Sequence, residues 1–193
     1  MKEHIDNKSL SFRIQTISIK EAKIALKNMN PKMSSGVSGI PKKIVRDAHE
    51  ILAVPFQRVF NESVKQCYFP NAFKELSSVC VHKRNSKDDK ANYRQIVSIE
   101  AISSCMESII NKQLLKFLIE NTIIPPEQYA FIPGIDVGTV AFIKTAISKW
   151  LLNIDKELYT VITSFDLASA FSTLSITLVL KRMTIYGVDK NSL

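Results

Sequence analysis

Residues 159–188 read YTVITSFDLASAFSTLSITLVLKRMTIYGV, and the pattern changes period at its middle. The run from Tyr159 to Phe165 is β-branched or aromatic at every position but Ser164, which predicts a strand over 159–165. Residues 168–186 switch to helical spacing. Asp166 stands at the junction and has two readings: the N-cap of the following helix, or a carboxylate presented at a strand end as a ligand for a hard metal ion. A strand running straight into a helix, in a chain otherwise dominated by helical spacing, predicts an α+β protein that is mostly helical.

Working outward, Ser18 and Glu21 form a capping box ahead of Ile19, Ala22, Leu26 and Met29, predicting a helix over 19–29. The segment MNPKMSSGVSGIPKK is a loop by its Pro, Ser and Gly content. Pro41 suits the first turn of a helix carrying Ile44, Val45, Ala48, Ile51 and Leu52 inward. Pro55 is expected to start another, with Phe56, Val59, Phe60 and Val64 on its apolar face. Residues 76–82 alternate as a strand, and 83–92 form a polar, basic turn. Ala101, Ile102, Cys105, Met106, Ile109, Ile110, Leu114 and Phe117 mark a long amphipathic helix ending near Asn121, ahead of Pro125 and Pro126. A further helix from Val137 to Ile154 carries Val140, Ile143, Ile147 and the only tryptophan, Trp150.

The 193 residues correspond to about one domain, and 46% hydrophobic with 23% charged residues excludes disordered and collagen-like classes. The net charge of +8 is unevenly placed. Residues 1–94 carry 18 Lys/Arg against 9 Asp/Glu, whereas 95–193 carry 8 against 9, so the excess lies in the first half, where a polyanion would bind. The same asymmetry could be no more than a solvated basic face. Cys67, Cys80 and Cys105 are odd in number without CxxC spacing, and His4, His49 and His82 form no ligand motif, so no disulfide framework or zinc site is indicated. A reducing, intracellular setting, cytoplasm or nucleus, is the expectation. The weakly charged stretch 158–180 contains Asp166 and splits into two periods, which argues against a membrane span.

Six motifs in order carry a resemblance. TSFDLASAFSTLSITLVLKRMTIYGV resembles the first palm motif, a DLSKAFDTV-type string running into a helix that ends in YG(I/V), of reverse transcriptases from non-LTR, LINE- or jockey-like retrotransposons. SSGVSGIPKKIV resembles the GxDGIP loop of that family, and FNESVKQCYFPNAFK its FN-S-x-G-x-(F/Y)P segment. VCVHKRNSKDDKANYRQIVSI resembles the K-x(n)-NYRPISL stretch, SSCMESIINKQL the SK-x-x-E helix, and IIPPEQYAFIPG the Q(F/Y)GFRxG turn. The resemblance spans about 16–190 and implies the fingers and partial palm of a right-hand polymerase fold. The implied organisation is an N-terminal helix and loop over 1–40, fingers over 41–157, and the first strand and helix of the palm over 158–193.

The activity implied is RNA-directed DNA synthesis by two-metal nucleotidyl transfer with Mg²⁺. Asp166 matches the first metal-ligand aspartate, with the Leu167 carbonyl as its companion. Phe171 matches the bulky residue beneath the sugar, favouring deoxynucleotides. Lys83 and Arg94 match cations that approach the incoming triphosphate, and Gln128 and Phe131 match the turn near the template. RNA template or an RNA:DNA hybrid is the implied partner, with deoxynucleotides only where the palm is complete; no membrane is implied. If the resemblance holds, Asp166 should end a strand within reach of solvent, Lys83 and Arg94 should share a basic hairpin, and apolar surface should be exposed near 159–186.

The departures point away from catalysis. The chain stops at Leu193, before the YxDD hairpin that supplies the partner carboxylates, so this chain alone is expected to be inactive. Ser38 replaces the Asp of GxDGIP, Met33 a Lys, Gln95 a Pro, Ser104 the Lys of SK-x-x-E, Ala130 a Gly and Ile132 an Arg. Ser169, Ser172 and Ser175 replace a Lys and two acidic residues of the palm string, while apolar positions keep their character. If the family Gly needs a positive φ, Ala130 would strain its turn by about 1 kcal/mol. Two alternatives stand beside the polymerase reading: a nucleic-acid-binding remnant without catalysis, and an all-helical protein-interaction module.

Overall fold

The structure is a computed structural model of the 193-residue chain and describes residues 10–31, 35–125, 128, 130–132, 138–163, 165–166 and 173–193. Among the described residues, eight helices and strands follow in the order α1 (Ile19–Lys27), α2 (Lys42–Asp47), α3 (His49–Lys65), β1 (Leu76–His82), β2 (Tyr93–Ile99), α4 (Ala101–Glu120), α5 (Gly138–Asp155) and α6 (Ile176–Ile185), with short 3₁₀ turns between some of them. The fold is therefore α+β and mostly helical, and β1 removes the all-helical alternative.

Two compact units divide the chain, Phe12–Leu114 with Ser192, and Leu115–Asn191 with the N-terminal residues and Leu193. The first has a true core. Ser18 begins α1 as anticipated: its hydroxyl accepts the Glu21 N–H while the Glu21 carboxylate accepts the Ser18 N–H, satisfying two donors that a helix start leaves open. Helix α1 then lays Ala22 and Leu26 against Val45 of α2, Phe56 and Phe60 of α3, and Ala101, Cys105, Met106 and Ile109 of α4. Phe60 and Leu26 are fully buried. The one buried polar side chain in this core region, Ser103, is satisfied by donating to the Phe73 carbonyl at 3.0 Å.

The break expected at Pro55 lies elsewhere. Helix α3 runs through Pro55, and the break lies at Ala48, between α2 and α3, where the His49 ring nitrogen lies 2.9 Å from the Arg46 carbonyl. Because the helix begins at His49, its buried stripe is Ala53, Phe56 and Phe60, and Ile44, Ile51 and Val59, all expected inward, face solvent.

Strands β1 and β2 pair antiparallel from Leu76↔Ile99 to His82↔Tyr93 and form a two-stranded sheet. The strand expected over 159–165 is not formed at its described residues: 158–163, Phe165 and Asp166 are irregular. A β-rich run becomes a strand only where another strand takes up its N–H and C=O groups, and no described strand lies beside this one. The helix expected over 168–186 is present at Ile176–Ile185, and 167–172 lie outside the described residues. No helix among the described residues is long and apolar enough to cross a membrane.

Candidate nucleic-acid interface

The hairpin β1–β2 gathers the basic residues that the sequence singled out. Its ladder extends one residue beyond β1, because the Lys83 N–H donates to the Asn92 carbonyl at 2.7 Å. Strand alternation then puts Lys83 and Arg94 on one face, together with Val79, Val81 and Ile96. His82 and Tyr93 occupy the opposite face, ring edge to ring face, with centroids 5.3 Å apart. The His82 Nε2 atom is buried there without a hydrogen-bond partner among the described residues.

The turn between the strands is built rather than loose. Asn85 takes the left-handed conformation (φ 67°), which Asn tolerates better than most residues. The Ser86 hydroxyl accepts the Asp88 N–H at 3.2 Å, the Asn92 amide donates to the Ser86 carbonyl at 2.8 Å, and the Tyr93 hydroxyl donates to the Lys87 carbonyl at 3.0 Å. Asn92 and Tyr93 are thus positioning residues that the sequence reading passed over. Their sequence signal is the NY directly before Arg94. Lys83, Arg84, Lys87, Lys90 and Arg94 are all exposed, and none forms an ion pair with a described residue. Asp88 and Asp89 are the turn's only acids, leaving 83–94 at a net +3. Ammonium and guanidinium groups free of carboxylate partners can each take a phosphate, the Lys as a point charge and the Arg as a planar fork.

The loop 35–41 is fixed against the start of α4. Glu100 accepts the Ser38 N–H at 2.7 Å and the Ser38 hydroxyl at 2.6 Å. These bonds, the hydroxyl's foremost, and a further one from the Val37 N–H hold the Glu100 carboxyl below its ordinary value against the opposing effect of burial. Beside it, the Lys42 ammonium donates to the Ser104 hydroxyl at 2.8 Å. Two of the departures noted above, Ser38 and Ser104, therefore each contact a charged group. An Asp at 38 would meet the Glu100 carboxylate, and a Lys at 104 would meet the Lys42 ammonium.

The remaining site residues belong to the other unit or lie outside the described residues. Asp166 is exposed and follows the irregular 158–163 run instead of closing a strand. Leu167 and Phe171 are outside the described residues. The Gln128 amide donates to the Ala130 carbonyl at 3.0 Å, and Phe131 is 87% exposed. Ala130 does not have a positive φ, so the strain conditional on one does not arise there; the left-handed residue is Phe131 (φ 64°).

Among the described residues, no three His, Cys, Asp or Glu side chains come together as a metal-holding group. Among the described residues Asp166 offers one carboxylate where a hard divalent ion takes six or more oxygens, so the described residues do not fit a two-Mg²⁺ centre. No family model matches the chain, and no curated protein matches it.

Proposed function

We propose that this chain is a nucleic-acid-binding segment of a reverse-transcriptase-like polymerase, corresponding to fingers and the beginning of a palm, and that it holds RNA or an RNA:DNA hybrid without catalysing synthesis alone. The observation that supports binding most directly is the hydrogen-bonded turn that presents five exposed cations, none ion-paired with a described residue, with Lys83 and Arg94 on one face of the hairpin. Such a surface binds the phosphate backbone, with little dependence on base sequence. No chemical step is assigned to Asp166.

The test is the salt dependence of binding to a single-stranded RNA oligonucleotide. Each phosphate contact contributes about 0.7 to the slope of log affinity against log salt for single strands. Lys83→Ala and Arg94→Ala are each expected to weaken binding and to lower that slope by about 0.7. A flat salt profile would overturn the binding role, and primer extension by the purified chain in Mg²⁺ would overturn the non-catalytic one.

A further inference from the structure

The turn that carries the cations also carries a hydroxyl. Ser86 is the only Ser, Thr or Tyr in 83–92, and every residue from Lys83 to Lys90 is exposed. Its hydroxyl donates to the Asp88 carboxylate at 3.3 Å and accepts the Asp88 N–H at 3.2 Å, both long for hydrogen bonds. No residue of 83–90 is apolar, so drawing this segment into an extended conformation uncovers no core. Lys83 and Arg84 stand three and two residues ahead of the hydroxyl, and neither is ion-paired with a described residue. An enzyme that reads an extended segment through acidic side chains in its cleft finds there a point charge, a planar guanidinium fork and an acceptor hydroxyl at short spacing.

We propose that Ser86 is a phosphorylation site for a serine kinase with an acidic substrate cleft, and that its phosphate switches off RNA binding at the hairpin; the switch, though not the modification, rests on the nucleic-acid reading above. In the transfer step the Ser86 Oγ attacks the γ-phosphorus of ATP, and the bond from that phosphorus to the bridging oxygen breaks. ADP leaves, and the hydroxyl proton passes to a carboxylate of the kinase. The phosphoserine carries about −1.5 to −2 at neutral pH, so the +3 of residues 83–94 falls to about +1. Its oxygens then act against RNA in two ways. They accept hydrogen bonds from Lys83, Arg84 and Lys87 that a nucleic-acid backbone would otherwise take, and as a fixed anion they repel the phosphates of an approaching strand. They also stand against the Asp88 carboxylate, so the Ser86–Asp88 contact gives way and the cations lose part of the turn that presents them.

The test treats the whole chain with ATP, Mg²⁺ and a basophilic serine kinase, the catalytic subunit of the cyclic-AMP-dependent enzyme. Stoichiometric incorporation is expected, mapped to Ser86 by tandem mass spectrometry. Incorporation at this position should vanish in Ser86→Ala and be about tenfold slower in Arg84→Ala, the scale of one lost charge-assisted hydrogen bond. The phosphorylated chain should bind a single-stranded RNA oligonucleotide about tenfold or more weakly at low salt, with a slope against log salt lower by about 1.4, the share of two phosphate contacts. A phosphatase should restore both, and kinase treatment of Ser86→Ala should leave that variant's RNA affinity where it was. No incorporation at Ser86, equal rates in Arg84→Ala and the parent, or a phosphorylated chain that binds RNA as tightly as before each overturns the proposal. An unmodified chain that binds no RNA overturns the nucleic-acid reading and the switch with it. That result is seen before any kinase is added, so the two failures are told apart.

Discussion

Helices α3 and α5 have nearly the same length and the same kind of apolar spacing, yet only α3 buries it. In α3, Ala53, Phe56 and Phe60 close into a core with α1, α2 and α4. In α5, Ile143, Ile147, Trp150, Leu151 and Ile154 recur at helical spacing and all remain exposed. The contrast extends to the units that hold them: among the described residues of the Leu115–Asn191 unit, only Val188 is buried. Periodicity tells a helix which face is apolar, and says nothing about whether this chain supplies the surface to cover it. The largest effect expected follows from that difference. Phe60→Ala should lose about 3–5 kcal/mol of stability, whereas Leu151→Ser should stay within about 0.5 kcal/mol of the parent. Urea unfolding should follow labelling of Cys105, whose buried thiol is pushed up to about 12, while exposed Cys67 and Cys80 label at once. Trp150 fluorescence reports the other unit. Comparable losses in both variants would erase the contrast.

The contrast also separates what the sequence could reveal from what it could not. The capping box at Ser18 and the helix of α4 were legible because each is decided locally, by a cap or a 3.6-residue period, and the strand over 76–82 because its partner, Tyr93–Ile99, follows it within one hairpin. The strand over 159–165 was not, because its propensity is local but its ladder is not. Pro55 misled for a related reason. Proline forbids one hydrogen bond, and the solvent-facing turn at Ile51 tolerates the loss, while the break lies at Ala48, between α2 and α3. Among site residues, Lys83 and Arg94 were legible as cations flanking a turn. Asn92 and Tyr93, which shape the turn, are legible only once Ser86 and Lys87 are seen to supply their acceptors.

The polar departures Ser38 and Ser104 read as lost function in sequence and as hydrogen-bond partners in structure, which makes the 35–41 loop the place to sharpen the contrast inside the packed unit. A Cβ added at Gly36 would lie 2.6 Å from Glu100 Oε1 and 2.8 Å from the Glu100 backbone nitrogen, too close for the backbone to ignore. Gly36→Ala should therefore cost about 2 kcal/mol, the scale of overpacking at a tight contact. An unchanged unfolding midpoint would mean that the loop yields without loss and does not belong to the packed unit.

Glu100→Gln should cost less, about 1 kcal/mol, the difference between charge-assisted and neutral acceptance of the same donors. Its pH dependence has a definite sign. The folded Glu100 carboxyl is held below its ordinary value by Ser38, so its contribution is complete above the ordinary carboxylate range and is lost as pH falls through the lowered folded value. The parent should therefore converge on the Gln variant in acid and separate from it toward neutrality. Ser38→Asp should behave oppositely, destabilising most at neutral pH, where two carboxylates face each other, and recovering on acidification.

The smallest effect tests the edge of the packed unit. Ser18 caps α1 through one bond to the Glu21 N–H at 3.2 Å, and Glu21 returns two bonds, to the Ser18 N–H at 2.8 Å and to its hydroxyl at 2.7 Å. Ser18→Ala leaves the Glu21 N–H to water and removes the hydroxyl that helps hold the Glu21 carboxyl low, second to the Ser18 N–H. The site is exposed, so solvent replaces much of what is lost, and about 0.5–1 kcal/mol is expected in denaturant unfolding. Because α1 carries Ala22 and Leu26 into the core, that loss should appear in the Cys105-reported transition. An equal change at Ser175, where α6 begins without a side-chain cap bond, should leave the same transition unmoved. If both substitutions shifted it equally, the two units would unfold as one, and the difference between a packed and an unpacked region would be a matter of surface rather than of stability.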